Sequence, residues 1–157
     1  MKLSTKGRYA VMAMADLAGA GETRPVPLAD IASRQEISLS YLEQLFAKLR
    51  RAGVVKSVRG PGGGYRLSRS AAETRISDII LAVDEPVDVT RCQHATQGCM
   101  ESGKRCITHD LWDELGRHIH LFLSAVTLDD VVKRRVMGAA RASVSGQAAE
   151  LLEQAAE

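Results

Sequence analysis

Four glycines and a proline fall within the six residues 59–64, and this segment constrains the fold more than any other part of the sequence. A helix does not persist through such a composition, because glycine and proline have the lowest helix propensities. Short runs at 54–58 and 65–67 flank the segment and have the character of strands. The pattern predicts two strands joined by a glycine-rich tip, which is a β-hairpin.

Helical periodicity precedes this hairpin. A first helix is predicted over 5–19, with Ser4 or Thr5 capping its start and apolar residues on one face. Glycines then interrupt the pattern. A second helix is predicted from near Pro27, a residue tolerated in a first helical turn, to about Gln35.

The third predicted helix covers 40–51 and follows a tight link. Ser40 and Glu43 fit a capping box at its start, and Ser38 is the alternative cap. Its apolar residues recur at helical spacing and are expected to face inward: Leu39, Leu42, Leu45, Phe46 and Leu49. A helix-turn-helix followed directly by a hairpin is the winged variant, so the predicted fold is mainly α with a small β-hairpin.

The remainder of the chain is predicted to be helical on either side of one irregular stretch. We expect a short helix over 78–83 capped by Ser77, a long helix over 108–126 capped by Thr108, and another over 127–137. The predicted parts are a winged helix-turn-helix domain (1–83), a cysteine-rich cluster-binding loop (84–107), dimerisation helices (108–137) and a flexible tail (138–157).

Charge is distributed unevenly along the chain, although the net charge is only +2. Residues 1–70 carry 12 Lys and Arg against 5 Asp and Glu, whereas residues 71–157 carry 9 against 14. A basic front half favours contact with a polyanion. The predicted helix-turn-helix lies in that half, so double-stranded DNA is the expected partner.

The polar face of the third helix supplies candidate DNA contacts. Gln44 is able to pair with adenine through two hydrogen bonds, and the carboxylate of Glu43 is able to accept from the cytosine amino group. Lys48 and Arg51 suit phosphates better than bases. The candidate DNA-binding residues on this helix and at its start are Ser38, Ser40, Tyr41, Glu43, Gln44, Lys48 and Arg51.

The glycine-rich hairpin supplies a second set of candidates. Arg59 stands at the base of the tip, where a guanidinium suits the negative potential of a narrow minor groove. Gly60 and Gly62 allow the backbone to approach the sugar–phosphate edge closely. A phosphate-cradling nucleotide loop is disfavoured, because the segment lacks the Gly-Lys-Ser/Thr ending and joins two strands.

All three cysteines of the chain, Cys92, Cys99 and Cys106, lie within 15 residues, and His109 follows closely. An odd number of cysteines does not suit a disulfide framework. Three thiolates and one imidazole satisfy the ligand count of zinc or of an iron–sulfur cluster. The wide gaps and nearby glycines favour the cluster, and His94 is an alternative to His109 as the fourth ligand.

The long predicted helix carries an apolar stripe that would bury against its own domain or against a second copy of the chain. Its members are Leu111, Leu115, Ile119, Phe122 and Val126. Winged-helix regulators that read palindromic operators need two-fold symmetry. We therefore expect a homodimer.

Long motifs in this sequence resemble the IscR family of iron–sulfur cluster regulators. They comprise the segments 3–10, 26–31, 37–46 and 57–65, and the resemblance extends over about residues 1–130. It implies a dimeric bacterial repressor of cluster-assembly genes that holds a 2Fe–2S cluster and receives it from the cluster-assembly machinery. It also implies DNA contacts at Ser40, Glu43, Gln44 and Arg59.

The resemblance further implies that Cys92, Cys99, Cys106 and His109 are the cluster ligands. Each gap between cysteines is one residue longer here than in the family pattern, so His94 stays an alternative ligand. Two other functions fit the same residues. They are a zinc-stabilised winged-helix repressor and an iron–sulfur redox or carrier protein.

Several functional classes are disfavoured by the sequence. It shows no catalytic dyad or triad, so an enzyme is not expected. No apolar run approaches the length of a membrane span, and the first residues lack an apolar signal core. These features predict a cytoplasmic protein without a membrane partner.

Overall fold

A computed structural model describes residues 4–20, 24–85, 99–100 and 102–136. Within these residues the fold is mainly helical with one antiparallel hairpin, as predicted. The elements in chain order are α1 (Thr5–Gly19), α2 (Leu28–Gln35), α3 (Leu39–Arg51), β1 (Val55–Val58), β2 (Gly64–Leu67), α4 (Ile76–Ala82), α5 (His109–Ala125) and α6 (Leu128–Val132).

The helix α1 has the predicted bounds and begins where the sequence provides a cap. The hydroxyl of Ser4 accepts a hydrogen bond from the backbone N–H of Lys6, which satisfies one donor that the first turn leaves unpaired. Apolar side chains spaced by three and four residues bury one face of α1 in the core: Ala10, Ala13, Met14 and Leu17.

The start of α3 differs from the favoured prediction. Ser38 is the N-cap and accepts from the backbone N–H of Tyr41 at 3.4 Å, so the Ser40–Glu43 capping box is wrong. Leu39 was expected to face inward but is 42% exposed. It occupies the first turn at the edge of the apolar face, before the helix reaches the core. The buried residues of α3 are Leu42, Leu45, Phe46 and Leu49.

The hairpin has the predicted glycine-rich tip. Gly60 and Gly62 adopt φ of 102° and 72°, and a hydrogen bond from Gly63 N–H to the Gly60 carbonyl closes the turn. On its other edge, Tyr65 exchanges two backbone hydrogen bonds with Val26. A Cβ at Gly64 would lie 2.4 Å from the Val26 backbone, so only glycine permits this close approach.

The main core joins the helix-turn-helix to the hairpin. Phe46 is fully buried, and its ring meets that of Tyr65 edge to face, with 5.0 Å between centroids. Leu128 of α6 is also fully buried in this core, and the backbone N–H of Ile76 donates to the carbonyl of Val126. The chain after the cysteine segment therefore returns to pack on the first domain.

Two boundaries after the hairpin differ from prediction. The helix α4 begins at Ile76 rather than at 78, and Ser77 lies buried inside it instead of capping it. Thr127 starts α6 with a capping box to Asp130, as its position predicted. However, α6 ends at Val132 instead of reaching 137, and Arg134 adopts a left-handed φ of 55° that stops it.

The helix α5 matches its predicted extent, but Thr108 does not cap it through its side chain. Its hydroxyl instead accepts from the indole N–H of Trp112 at 3.2 Å. Among the described residues, no helix is both long and apolar enough to cross a membrane. The predicted tail at 138–157 lies outside the described part of the chain.

Candidate nucleic-acid interface and metal site

The outer face of α3 presents most of the predicted DNA contacts to solvent. Ser38 and Ser40 are exposed at its start, and Glu43, Gln44 and Arg51 are exposed along its length. The opposite face is buried in the core, which fixes the orientation of the helix. The predicted recognition surface is therefore open along α3.

Tyr41 and Lys48 lie on one flank of α3 and already have partners within the chain. The Tyr41 ring meets Tyr9 of α1 edge to face at 6.1 Å between centroids. The Lys48 ammonium lies 2.8 Å from a carboxylate oxygen of Asp84. This hydrogen bond and the Lys48 charge hold the pKa of Asp84 below its usual value. The charge of Lys48 is therefore shared with Asp84 in this structure.

The tip of the hairpin stands clear of the core. Arg59, Gly60 and Gly62 are all exposed, so the three candidates at the tip are accessible together. The positive φ at both glycines gives the tight turn that places Arg59 beside it. The tip and the exposed face of α3 supply the two surfaces that a winged helix uses on DNA.

A contact that sequence patterns did not indicate ties the end of α4 to the start of α1. Glu85 accepts from the Ser4 backbone N–H at 2.7 Å and from its hydroxyl. Burial alone raises the pKa of Glu85, but the hydrogen bonds from Ser4 outweigh it, and the pKa lies below its usual value. The ammonium of Lys6 donates to the Asp84 carbonyl at 3.0 Å.

Asp84 and Glu85 are thus held by α1 and α3 at the point where the chain enters the segment 86–98. We call these two residues the junction. Periodicity gave no signal for it, because its partners are separated from it by 36 to 81 residues. The predicted ligand Cys92 and the alternative His94 lie in 86–98, outside the described residues.

Two of the predicted metal ligands lie together. The Sγ of Cys99 is 3.6 Å from Nδ1 of His109, and the same sulfur accepts from the Cys106 backbone N–H at 2.9 Å. His109, in the first turn of α5, is 8% exposed, which is unusual for a histidine at a helix start on the surface. The structure brings Cys99 and His109 to one place across ten residues.

Cys106 supplies a second sulfur, with its Sγ 3.7 Å from the Thr108 hydroxyl. The described residues contain no group of three or more His, Cys, Asp or Glu arranged to hold a metal ion. Within the region that the structure describes, Cys99 and His109 therefore form a contacting pair and not a complete metal-binding group.

Several apolar side chains of α5 face solvent. Leu111 is 60% exposed and Phe122 is 40% exposed, and Leu115 and Ile119 between them are half-buried. Val126, the last member of the predicted stripe, is instead buried in the core of the first domain. The stripe from 111 to 122 is therefore only partly covered by the described residues.

Comparison with known proteins places this site in context. Residues 3–134 match the family model Rrf2, described as iron-dependent transcriptional regulator. A putative HTH-type transcriptional regulator of Azotobacter vinelandii is 61% identical over 85% of this chain and 80% of its own length. The HTH-type transcriptional regulator IscR of Vibrio atlanticus is 56% identical over 85% of this chain and 76% of its own.

Solved structures give the same result. The IscR structure of T. potens superposes with a TM-score of 0.70 at 38% identity, over 86% of this chain and 88% of that one. The structure of CymR, the global cysteine regulator of B. subtilis, superposes with a TM-score of 0.73 at 33% identity, over 85% and 98%. Both similarities extend from the winged helix through the C-terminal helices.

Proposed function

The chain belongs to the Rrf2 family of transcriptional regulators and is of the IscR type, and from this premise we propose that an iron–sulfur cluster controls its binding to DNA. The observation that carries the proposal is the contact between Cys99 and His109. The group is a 2Fe–2S cluster held by Cys92, Cys99, Cys106 and His109. The loaded protein represses iron–sulfur cluster assembly genes.

The Cys99–His109 distance supports a shared metal ion. Metal–sulfur and metal–nitrogen bonds of about 2.3 Å and 2.1 Å, at a tetrahedral angle, separate the two donor atoms by about 3.6 Å. The observed separation of 3.6 Å agrees with that value. Three thiolates and one imidazole then complete the ligand set of a 2Fe–2S cluster, whose potential and stability depend on its ligands. The cluster supplies a charge and a redox state that respond to iron and oxidants.

The recognition surface reads DNA in two places. Gln44 and Glu43 contact base edges in the major groove, with Ser38, Ser40 and Tyr41 positioning the start of α3. Arg51 and Lys48 contact phosphates, and Arg59, Gly60 and Gly62 enter the adjacent minor groove. Binding is to double-stranded DNA with a palindromic operator.

The junction supports a route from the cluster to the DNA surface. Asp84 and Glu85 directly precede 86–98, which contains Cys92, so cluster binding at Cys92 would act on the junction through a short stretch of chain. Asp84 in turn holds Lys48 on the flank of the recognition helix α3. If cluster binding moves the junction, the ion pair between Asp84 and Lys48 breaks. Lys48 is then free to bind a DNA phosphate, which raises the affinity for DNA.

The exposed stripe on α5 supports a homodimer. Leu111 and Phe122 together would leave a large apolar area in water if the chain stayed single, and such areas mark interaction sites. The pairing of two α5 helices gives the two-fold symmetry that a palindromic operator requires.

The partner that loads the cluster is the iron–sulfur cluster assembly machinery.

The test is anaerobic purification followed by metal and sulfide analysis and ultraviolet–visible spectroscopy. We expect about two iron and two sulfide ions per chain, with thiolate-to-iron charge-transfer bands. Alanine at Cys92, Cys99, Cys106 or His109 should abolish these bands, and the matched control His118→Ala should keep them. Zinc in place of iron would contradict the cluster proposal and favour a zinc-stabilised repressor.

The DNA half of the proposal has its own readout. Binding to a duplex selected from a random pool by the loaded protein is compared with binding to a scrambled duplex at fixed salt. Removal of the cluster should change the ratio of the two affinities. An unchanged ratio, with the cluster present in one sample and absent from the other, would contradict the coupling.

A further inference from the structure

A groove of about 510 Å³ lies between the end of α3 and the outer face of the hairpin. We call it the basic groove. It contains three cationic side chains and no acidic side chain, and its lining residues are Arg50, Gly53, Val55, Lys56, Ser57, Val58, Arg66 and Ser68. None of these residues was among the DNA contacts predicted from the sequence.

Two cations of the basic groove lie close enough to repel each other. Lys56 and Arg66 stand directly opposite each other in the β1–β2 register, and like charges in that position are destabilising. Arg50, Lys56 and Arg66 are all exposed, and none forms an ion pair with another described residue. A site with this charge pattern favours an anion from outside the chain.

The acidic residue of the adjoining hollow forms no ion pair with Lys56 or Arg66, and the cation that acts on its charge is Arg69. Glu73 lines that hollow with Lys56 and Arg66, but its carboxylate accepts from the hydroxyl of Ser70 at 2.7 Å and from the Ser70 backbone N–H. These hydrogen bonds lower the pKa of Glu73. The situation differs from that of Lys48, whose charge is already met by Asp84.

The position of the groove identifies the anion. Arg50 lies two helical turns after Glu43 on the same flank of α3, and Lys56 lies three residues before Arg59 on the strand that leads to the tip. A helix in the major groove and a tip in the next minor groove straddle one sugar–phosphate strand, because that strand separates the two grooves of DNA. The basic groove lies between the end of α3 and the two strands that carry the tip.

We propose that the basic groove binds the DNA phosphate strand that passes between the recognition helix and the hairpin tip, through Arg50, Lys56 and Arg66. The proposal rests on the DNA-binding half of the proposed function. These contacts carry no sequence information, since they are made to phosphates. They increase the affinity for the selected duplex and for a scrambled duplex by the same factor, and they release counterions on binding.

The test compares two triple variants that each remove three positive charges. R50Q/K56Q/R66Q empties the basic groove of cations, and the control R117Q/K133Q/R134Q changes exposed cations of the C-terminal part. Fluorescence anisotropy measures binding of the loaded full-length chain to the selected duplex and to a scrambled duplex between 50 and 200 mM salt.

We expect the groove variant to reduce the slope of log affinity against log salt by about 2 to 3 per chain, since each lost phosphate contact removes about 0.9. The ratio of selected to scrambled affinity should stay the same. The control should keep the wild-type slope. Thermal unfolding should show the groove variant folded, because glutamine relieves the Lys56–Arg66 repulsion.

A groove variant with the control's slope and affinity would overturn the proposal. The basic groove would then be a candidate site for an acidic protein surface instead of DNA. A groove variant that lost selectivity instead of overall affinity would also overturn it, since the residues would then read bases. If the wild-type chain itself showed neither selectivity nor salt dependence, the proposed function would fail, and the two failures are thereby distinguished.

Discussion

The winged helix-turn-helix and the C-terminal part of this chain differ in how completely their side chains are buried or paired within the chain. In the first, Phe46, Leu42 and Leu49 are fully buried, and the junction residue Glu85 accepts from Ser4. In the second, Leu111 is 60% exposed, and Cys99 and His109 lie in contact without a third described His, Cys, Asp or Glu that would form a metal-binding group with them. The first region buries its apolar core with the help of Val126 and Leu128, whereas the second leaves exposed apolar side chains on α5, to which the proposed function assigns a second chain.

Under the proposed function, this difference separates a fixed DNA-reading surface from a segment whose response depends on a cluster. A recognition helix has to be rigid, because base contacts require defined geometry. A sensing segment has to gain free energy from contacts with its ligand. A segment whose polar and apolar groups already have partners within the chain gains little from a ligand. The junction residue Asp84 pairs with Lys48 of α3 and stands shortly before the segment 86–98, which leads to the second region.

The largest expected effect comes from comparing alanine substitutions of two phenylalanines, one in each region. Phe46→Ala should lower the free energy of unfolding by about 3–5 kcal/mol, because it empties a fully buried site. Phe122→Ala should change unfolding little, since that side chain is 40% exposed in the single chain. It should instead weaken dimerisation by about tenfold. Denaturant unfolding and sedimentation equilibrium measure the two effects. Equal losses of folding stability would break the comparison.

A smaller effect compares the starts of α3 and α5. Ser38→Ala should lower the free energy of unfolding by about 1 kcal/mol, because the Ser38 hydroxyl caps α3. Thr108→Ala should have a smaller effect on α5, since Thr108 makes no side-chain cap there. Thermal melts of both variants, each at the same protein concentration, provide the measurement. A larger loss in Thr108→Ala would contradict the assigned caps.

The smallest expected effect is on acid sensitivity within the first region. Burial raises the pKa of Asp16, but hydrogen bonds from Arg34 and Gln35 and the Arg34 charge outweigh it, so the pKa lies below its usual value. A lowered folded-state pKa stabilises the fold above the unfolded value, and this stability is lost as the pH falls through the folded value. Wild-type unfolding free energy should therefore decline as the pH falls below about 4.

Asp16→Asn should flatten that acid limb, and Arg34→Gln should flatten it in the same direction by removing the partner. Urea unfolding at a series of pH values measures the limb. An Asp16→Asn curve that runs parallel to the wild-type curve at every pH would show that the Asp16–Arg34 pair does not link α1 to α2 in this way.

Local chemistry made most of the winged helix predictable. Strand and helix periods, a glycine-rich tip and a helix cap near Ser4 act over a few residues, so the sequence predicted α1, α2, the body of α3 and the hairpin. The errors occurred where tertiary contacts compete with local signals. Ser77 resembles a cap but is buried, because the backbone of the adjacent Ile76 pairs with Val126. Leu39 fits the apolar spacing but lies at the edge of the buried face.

The candidate site was predictable by residue type but not by partner. Spacing singled out Cys99, Cys106 and His109 as ligands, and the structure brings the first and last together. Spacing also assigned Lys48 to phosphate, without indicating that Asp84 pairs with it from 36 residues away. The basic groove went unnoticed for the same reason, since Arg50 and Arg66 become neighbours of one surface only when the hairpin folds back beside α3.

The sequence by itself determined the elements, the basic character of the first half and the residues able to hold a cluster, because these depend on local conformation and side-chain chemistry. Only the tertiary structure decided which charges are already paired, which apolar residues stay in water and which cations share a groove. The physical reason is distance along the chain. Contacts such as Glu85 with Ser4, 81 residues apart, depend on how the elements pack and leave no periodic signal in the sequence.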